Sequence, residues 1–253
     1  MKKIVVFSLI VLLLLSLSFS ITGKAVLDQV KNAHSNFKTE RSSVTMKLIS
    51  ANGGVRERQF DMYLMHAGDK TLALVRFTAP SEVKRITLLT LSDNEIYLYM
   101  PAYRRTKRIS GGAKNGKFAG SDFTYNDISL LYNEKTGDYD AKLLKETDKI
   151  YLVQVIPHGS NDEYAKILIT VDKDTLLFKH IEFYTSDGTK AKVMDFSAVK
   201  DFEGHKVATI ITLNNIKENH KTILTINSVK FNIPITSKFF NRRNISKPIL
   251  RYQ

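Results

Sequence analysis

The groups in this chain able to do chemistry are six histidines, 25 acidic side chains and 38 basic ones, with no cysteine among its 253 residues. Without a thiol there is no disulfide framework, thiolate metal site, thiol nucleophile or lipid-bearing cysteine. His34, His66, His158, His180, His205 and His220 include no i, i+4 pair of the kind a helical metal site uses, and none stands beside paired carboxylates. There is no phosphate-cradling P-loop and no G-x-S-x-G elbow. Gly120-Ser121-Asp122 sets a hydroxyl beside an acid, but a serine nucleophile needs a base and no histidine lies near it in sequence. Asp127 and Glu134 are acids that the fold is free to bring to other carboxylates, whereas His158, His205 and His220 fall in predicted turns and read as solvated surface. This inventory argues against an enzyme and calls for no cofactor and no metal.

The charge is more specific. Arg104, Arg105, Lys107, Arg108, Lys114 and Lys117 lie between Pro101 and Ser121 with no acid among them. Lys221, Lys230, Lys238, Arg242, Arg243, Lys247 and Arg251 form a second acid-free run near the C-terminus. Together they equal the whole net charge of +13, so the remainder of the chain is neutral. Tyr97, Tyr99, Tyr103, Phe118, Phe123 and Tyr125 flank the first run, and an aromatic–basic mixture suits a membrane interface. A solvated face is the plainer reading of the same runs.

Where that charge acts depends on the first 20 residues. Met1-Lys2-Lys3, an apolar run from Ile4 to Leu15 and small residues from Ser16 to Ser20 form a secretory signal, with cleavage expected after Ser20. The alternative is a retained anchor, for which the run is short against the roughly 20 residues of a span. Loss of Lys2 and Lys3 leaves a net charge of +11. Export argues against nucleic acid as the partner and leaves an anionic membrane surface or an acidic envelope component open.

The elements that must carry these groups are nearly all strands. Lys24 to Phe37 has apolar residues at three- and four-residue intervals and is the one convincing helix. After it the period switches to two, in runs over 44–48, 58–65, 71–78, 85–91, 95–100, 139–146, 149–156, 164–171, 176–185, 189–199, 206–216 and 220–231. Turn chemistry such as Asn52-Gly53-Gly54 and Ser186-Asp187-Gly188 joins them. Residues 101–127 are too long for a hairpin loop and mark a functional segment, followed by one or two helical turns over 126–132. The tail from Ile233 is expected to wrap the outside.

Successive hairpins of about 11 to 13 strands favour one curled antiparallel sheet, closed or nearly closed, over a two-sheet sandwich. One helix and a short lid are too little to fill such a sheet, so either its own side chains pack the interior as plain core or an apolar cavity remains. Its inner-face candidates are Phe60, Met62, Leu64, Val75, Phe77, Leu89, Leu98, Ile169, Ile181, Phe183 and Ile211. A membrane-spanning barrel is disfavoured by charged runs such as Arg56-Glu57-Arg58-Gln59.

Residues 97–105, Arg108-Ile109-Ser110 and 120–127 (Gly-Ser-Asp-Phe-Thr-Tyr-Asn-Asp) resemble the signature of the LolA-like outer membrane lipoprotein-sorting protein family, as do the patches at 76–80, 171–177 and 227–232. The likeness runs from about Gly23 to Phe240, with residues 21–253 as one lipid- or lipoprotein-binding domain. It implies a mainly β (α+β) fold, an incomplete barrel around an N-terminal helix and a lid, with no catalytic residues. It also implies a periplasmic carrier of acylated lipoprotein or lipid cargo, supplied by an inner-membrane exporter or permease. In that reading Tyr97, Tyr99, Pro101, Tyr103, Arg104, Arg105, Arg108, Phe118, Ser121, Asp122, Phe123 and Tyr125 form a gate or docking loop. The chain has no tryptophan, which such carriers often place near the cavity. The alternative within the same fold is a regulatory module that senses lipid and grips a membrane-anchored partner.

Overall fold

The computed structural model describes residues 21–68, 70–131, 139–159, 163–248 and 250. Residues 1–20, on which the expected secretory signal falls, and Tyr132, Glu134 and Arg251 lie outside the described residues. The chain opens with α1 (Gly23–Ala33) and proceeds through β1 (Thr39–Ile49), β2 (Val55–Ala67), β3 (Lys70–Ala79), β4 (Thr87–Ser92), β5 (Glu95–Met100) and β6 (Arg105–Ile109). A non-sheet segment carrying α2 (Tyr125–Leu131) leads to β7 (Tyr139–Glu146), β8 (Ile150–Pro157), β9 (Lys166–Asp172) and β10 (Phe178–Tyr184). Three long strands, β11 (Lys190–Phe202), β12 (His205–Asn215) and β13 (His220–Phe231), precede a one-turn α3 (Arg242–Ile245).

All 13 strands of the described residues belong to one sheet, ordered β6-β5-β4-β3-β2-β1-β13-β12-β11-β10-β9-β8-β7. Each strand pairs antiparallel with its sequence neighbour, apart from the break between β6 and β7, and β1 pairs with β13 to unite the two halves. The edges β6 and β7 stay unpaired to one another, so the barrel is incomplete, as the family resemblance implied. Curling is evident from the core: Val44, Phe77, Ile109, Val153, Phe183 and Leu213, drawn from strands spread across the sheet, join a single buried cluster. A flat sheet of this width would keep them far apart.

The period of two explains which side chains enter. Val44, Met46 and Leu48 of β1 are buried while Thr45 and Lys47 between them are not. α1 starts at the Thr22 cap, whose hydroxyl accepts from Ala25 N at 3.1 Å, and packs on β7 and β8. The approach is close: a Cβ on Gly23 would sit 2.6 Å from the backbone carbon of Lys142, so only glycine fits. The helix is shorter than its apolar spacing suggested. It ends at Ala33, with His34 N donating to the carbonyls of Val30 and Lys31, and Phe37 leaves the helical path to stack on His66 and Phe231 at 4.9 and 4.8 Å.

A second apolar cluster lies on the outer face. Tyr63, Leu74, Leu89 and Tyr99 are covered by Ile235, Phe239, Phe240 and Ile245 of the C-terminal segment, which does wrap the outside. The strap is pinned by Arg76, which donates to the carbonyls of Lys247 and Pro248 at 2.7 and 3.1 Å. Leu89, expected on the inner face, therefore belongs outside. β4 is covered on both faces, so its four buried residues Thr87, Leu88, Leu89 and Thr90 carry no alternation from which a face can be read. Since Phe239 is fully buried against the Tyr63 ring at 4.9 Å, Phe239→Ala is expected to destabilise the protein by about 3–5 kcal/mol in urea unfolding. A loss within experimental error would mean that the strap does not hold the sheet.

Candidate functional site

Inside the curl lies a cavity of about 190 Å³. Its apolar wall is built by alternate residues of adjacent strands: Phe60, Met62 and Leu64 of β2 and Val75 of β3 on one side, Ile211 of β12 and Leu224 of β13 on the other. Val30 of α1, Leu176 and Phe178 close it laterally, and Phe118 and Ile128 contribute from the segment between β6 and β7. That segment is a lid.

The lid folds around two fully buried phenylalanines, Phe118 and Phe123. Phe118 N donates to Phe123 O at 2.7 Å, and Ala119 and Gly120 both take positive φ to turn the chain between them. Phe118 meets the rings of Phe77 and Tyr125 at 5.5 and 5.9 Å. Thr124 and Asp127 then cap α2 reciprocally: Thr124 N donates to Asp127 Oδ2 at 2.8 Å, and Asp127 N donates to Thr124 Oγ1 at 3.0 Å.

Two buried carboxylates fasten the lid to the sheet. Asp122 accepts from Thr222 Oγ1 and His220 Nδ1, both at 2.6 Å, and from Asn215 Nδ2 at 3.4 Å, while its own N–H donates to Thr222 Oγ1. Asp127 faces Lys192 Nζ at 3.1 Å and accepts from the Tyr164 hydroxyl at 3.1 Å. Lys192 also reaches Glu163 at 3.5 Å. Burial, with the nearby carboxylates, pushes the Tyr164 phenol far up, and burial raises the Glu163 carboxyl although Lys192 opposes it.

The structure sorts the expected residues unevenly. Phe60, Met62, Leu64, Val75 and Ile211 line the cavity. Phe77, Ile169, Ile181 and Phe183 are buried in the same cluster without lining it, Leu98 packs at its margin, and Leu89 faces outward. The loop residues divide as well. Tyr97, which stacks beneath Arg242 at 4.9 Å, and Tyr99 lie under the C-terminal strap. Pro101, Tyr103, Arg104 and Arg105 form the β5–β6 hairpin turn, where Tyr103 is 71% exposed. Arg108 donates to Asn94 O at 2.8 Å, whereas Phe118, Ser121, Asp122, Phe123 and Tyr125 are the buried body of the lid. The Ser121 hydroxyl donates to Phe118 O at 2.7 Å, a turn-closing role.

Two histidines overturn the reading as solvated turns. His220 grips Asp122, and His205 lines the cavity, stacked on Phe231 at 4.1 Å. Phe37, His34, His66, Leu224 and Ile226 also line it. A signal for His66 was present, because it continues the 60, 62, 64 alternation by one more step. Among the described residues no three His, Asp or Glu side chains are grouped to hold a metal ion, and no helix is long and apolar enough to cross a membrane.

This architecture is shared with solved structures. An outer membrane lipoprotein-sorting protein domain from Vibrio parahaemolyticus superposes with a TM-score of 0.81 at 25% identity, covering 89% of this chain and 98% of that one. The chain belongs to a LolA-like family. A family model described as "Uncharacterized protein" matches residues 69–247. A DUF1329 family protein from Desulfovibrio piger shares the fold at a TM-score of 0.79 and 22% identity, covering 89% and 100% of the two chains. A LolA superfamily protein from Nitrosomonas europaea does so at 0.71 and 17%, covering 88% and 99%. No curated protein sequence matches. In this LolA-like chain, then, the lipoprotein-sorting fold encloses an apolar cavity under a lid anchored by ion pairs.

The anchoring has a measurable consequence. Lys192→Met leaves the fully buried Asp127 without its cation and is expected to cost about 3–5 kcal/mol in urea unfolding. Adding Asp127→Asn, which keeps an acceptor for Thr124 N, should recover most of that loss. Equal stabilities of the single variant and the wild type would remove the ion pair as the lid's anchor.

Proposed function

We propose that this protein is an exported carrier that takes acyl chains of a lipoprotein or lipid into the cavity and shuttles them towards the outer membrane. The observation that carries the reading is the apolar hollow between the curled sheet and the lid. Each methylene moved from water into it contributes roughly 0.8 kcal/mol. Its volume of about 190 Å³ slightly exceeds that of dry engineered cavities, of about 150 Å³, that take up benzene. With the lid seated, it holds a stretch of one chain, and a whole long chain requires lid and walls to give way.

The rest of the chain supports the same reading. The signal-like start directs residues 21–253 to the periplasm. The exposed hairpin tip at Tyr103, Arg104 and Arg105 suits docking on an anionic membrane surface or on the inner-membrane permease that supplies cargo. Nucleic acid has no place in this role, and no cofactor is required.

Delipidated mature protein should gain thermal stability from added single-chain lipid, by about 2.7 kcal/mol at a hundredfold excess over Kd. Met62→Trp, which fills the cavity, should abolish that gain while the apo protein still unfolds cooperatively. A wild-type protein that no lipid stabilises would contradict the carrier reading.

A further inference from the structure

The cavity has a polar end, and strand polarity says which. β1, β3 and β12 begin, and β2 and β13 end, at one rim of the antiparallel sheet. At this rim Lys31, His34, His66, His205 and Lys206 line the cavity, with Glu40 as their acidic neighbour. The lid anchors, Asp122 on His220 and Lys117 on Glu218, lie at the opposite rim, where β12 turns into β13. The hollow is thus amphipathic along its length, with basic and imidazole groups at one end and Phe118 and Ile128 towards the other.

Three details make this rim more than a solvated edge. His34 Nε2–H donates to the carbonyls of Thr175 and Leu176, both at 3.2 Å, which fixes the ring against the β9–β10 turn. His66 is held by Thr71 at 2.9 Å through Nδ1, and its buried Nε2 has no hydrogen-bond partner among the described residues. The Phe37 ring lies between His66 and His205, with centroids 4.9 and 5.7 Å away, so these two imidazoles flank one apolar side chain. Glu40 is turned to Ser42, which donates to it.

We infer that this rim receives the anionic headgroup, a carboxylate or a phosphate monoester, of a single-chain lipid whose tail fills the hollow. The inference rests on the acyl-cavity reading above and adds the class of headgroup. Lys31 and Lys206 supply fixed positive charge, and the unpartnered His66 Nε2 becomes a donor once protonated. In the empty protein, burial holds His34 and His66 below the usual histidine range, with His205 and Lys31 adding like-charge repulsion. Burial raises the Glu40 carboxyl, which weakens the opposing charge. A bound anion favours the imidazolium form, so binding takes up protons and tightens as pH falls from about 8 to about 6. The empty protein loses stability as pH falls below the unfolded histidine value of about 6.5, because there the unfolded chain takes up protons before the two lowered imidazoles of the folded protein do.

Calorimetric titration of the mature protein with decanoate, decyl phosphate, decanol and decyltrimethylammonium, at about pH 6 and about pH 8, tests this. Decanoate or decyl phosphate is expected to bind at least about tenfold more tightly than decanol at the lower pH, with an advantage that shrinks at the higher pH. The better of the two identifies the anion. His66→Gln and Lys206→Gln should each weaken binding of the anion by more than binding of decanol, and cooperative urea unfolding of each variant reports an intact fold. Equal affinities for the anions and decanol at both pH values, or a preference for the cation, would overturn the headgroup assignment alone. Failure of all four ligands to bind would instead overturn the acyl cavity, and this inference with it.

Discussion

The pairing of β1 with β13 is the constraint on which the rest of the structure depends. It fuses two runs of hairpins into one sheet of 13 strands, too wide to remain flat, whose edges β6 and β7 do not meet. The inner face must be buried, yet the sequence provides one helix and one lid to do it. α1 takes the β7 side, with Gly23 giving it room, and the lid takes the middle. What they leave is the cavity.

A segment outside a β-ladder has backbone and side-chain polar groups that need partners when it is buried. The lid meets that need locally through the Thr124–Asp127 cap and at long range through Asp122 and Asp127. Such buried ionic contacts add little net stability compared with apolar packing, but breaking one is costly, so they hold the lid in one position. Apolar walls at one end and basic groups at the other then divide the hollow into two chemically distinct regions, which the headgroup proposal assigns to the two ends of a lipid.

Much of the fold was legible in the sequence because alternation is strong wherever one face of a strand meets the interior. Phe60, Met62 and Leu64 announced the cavity wall for that reason. The same rule failed at β4, where Leu88 faces inward and Leu89 outward but both are buried, one by the core and one by the C-terminal strap. It was followed too briefly at β2, where His66 shares the parity of Leu64. The central loop stood out by length and composition, yet its division into an exposed tip and a buried lid depends on Thr222 and His220, about 100 residues away. No local pattern encodes such a contact. The end of α1 was misread because Phe37 continues the helical spacing while stacking on residues of β2 and β13.

The most direct test of the central claim is native mass spectrometry of the protein recovered from its producing cells without detergent, before and after delipidation. The account predicts a population carrying one noncovalent acyl-bearing adduct, lost on delipidation and absent from a variant whose hollow is filled at Ile211 with tryptophan. A uniformly ligand-free protein, or an adduct that the filled variant keeps, would contradict it.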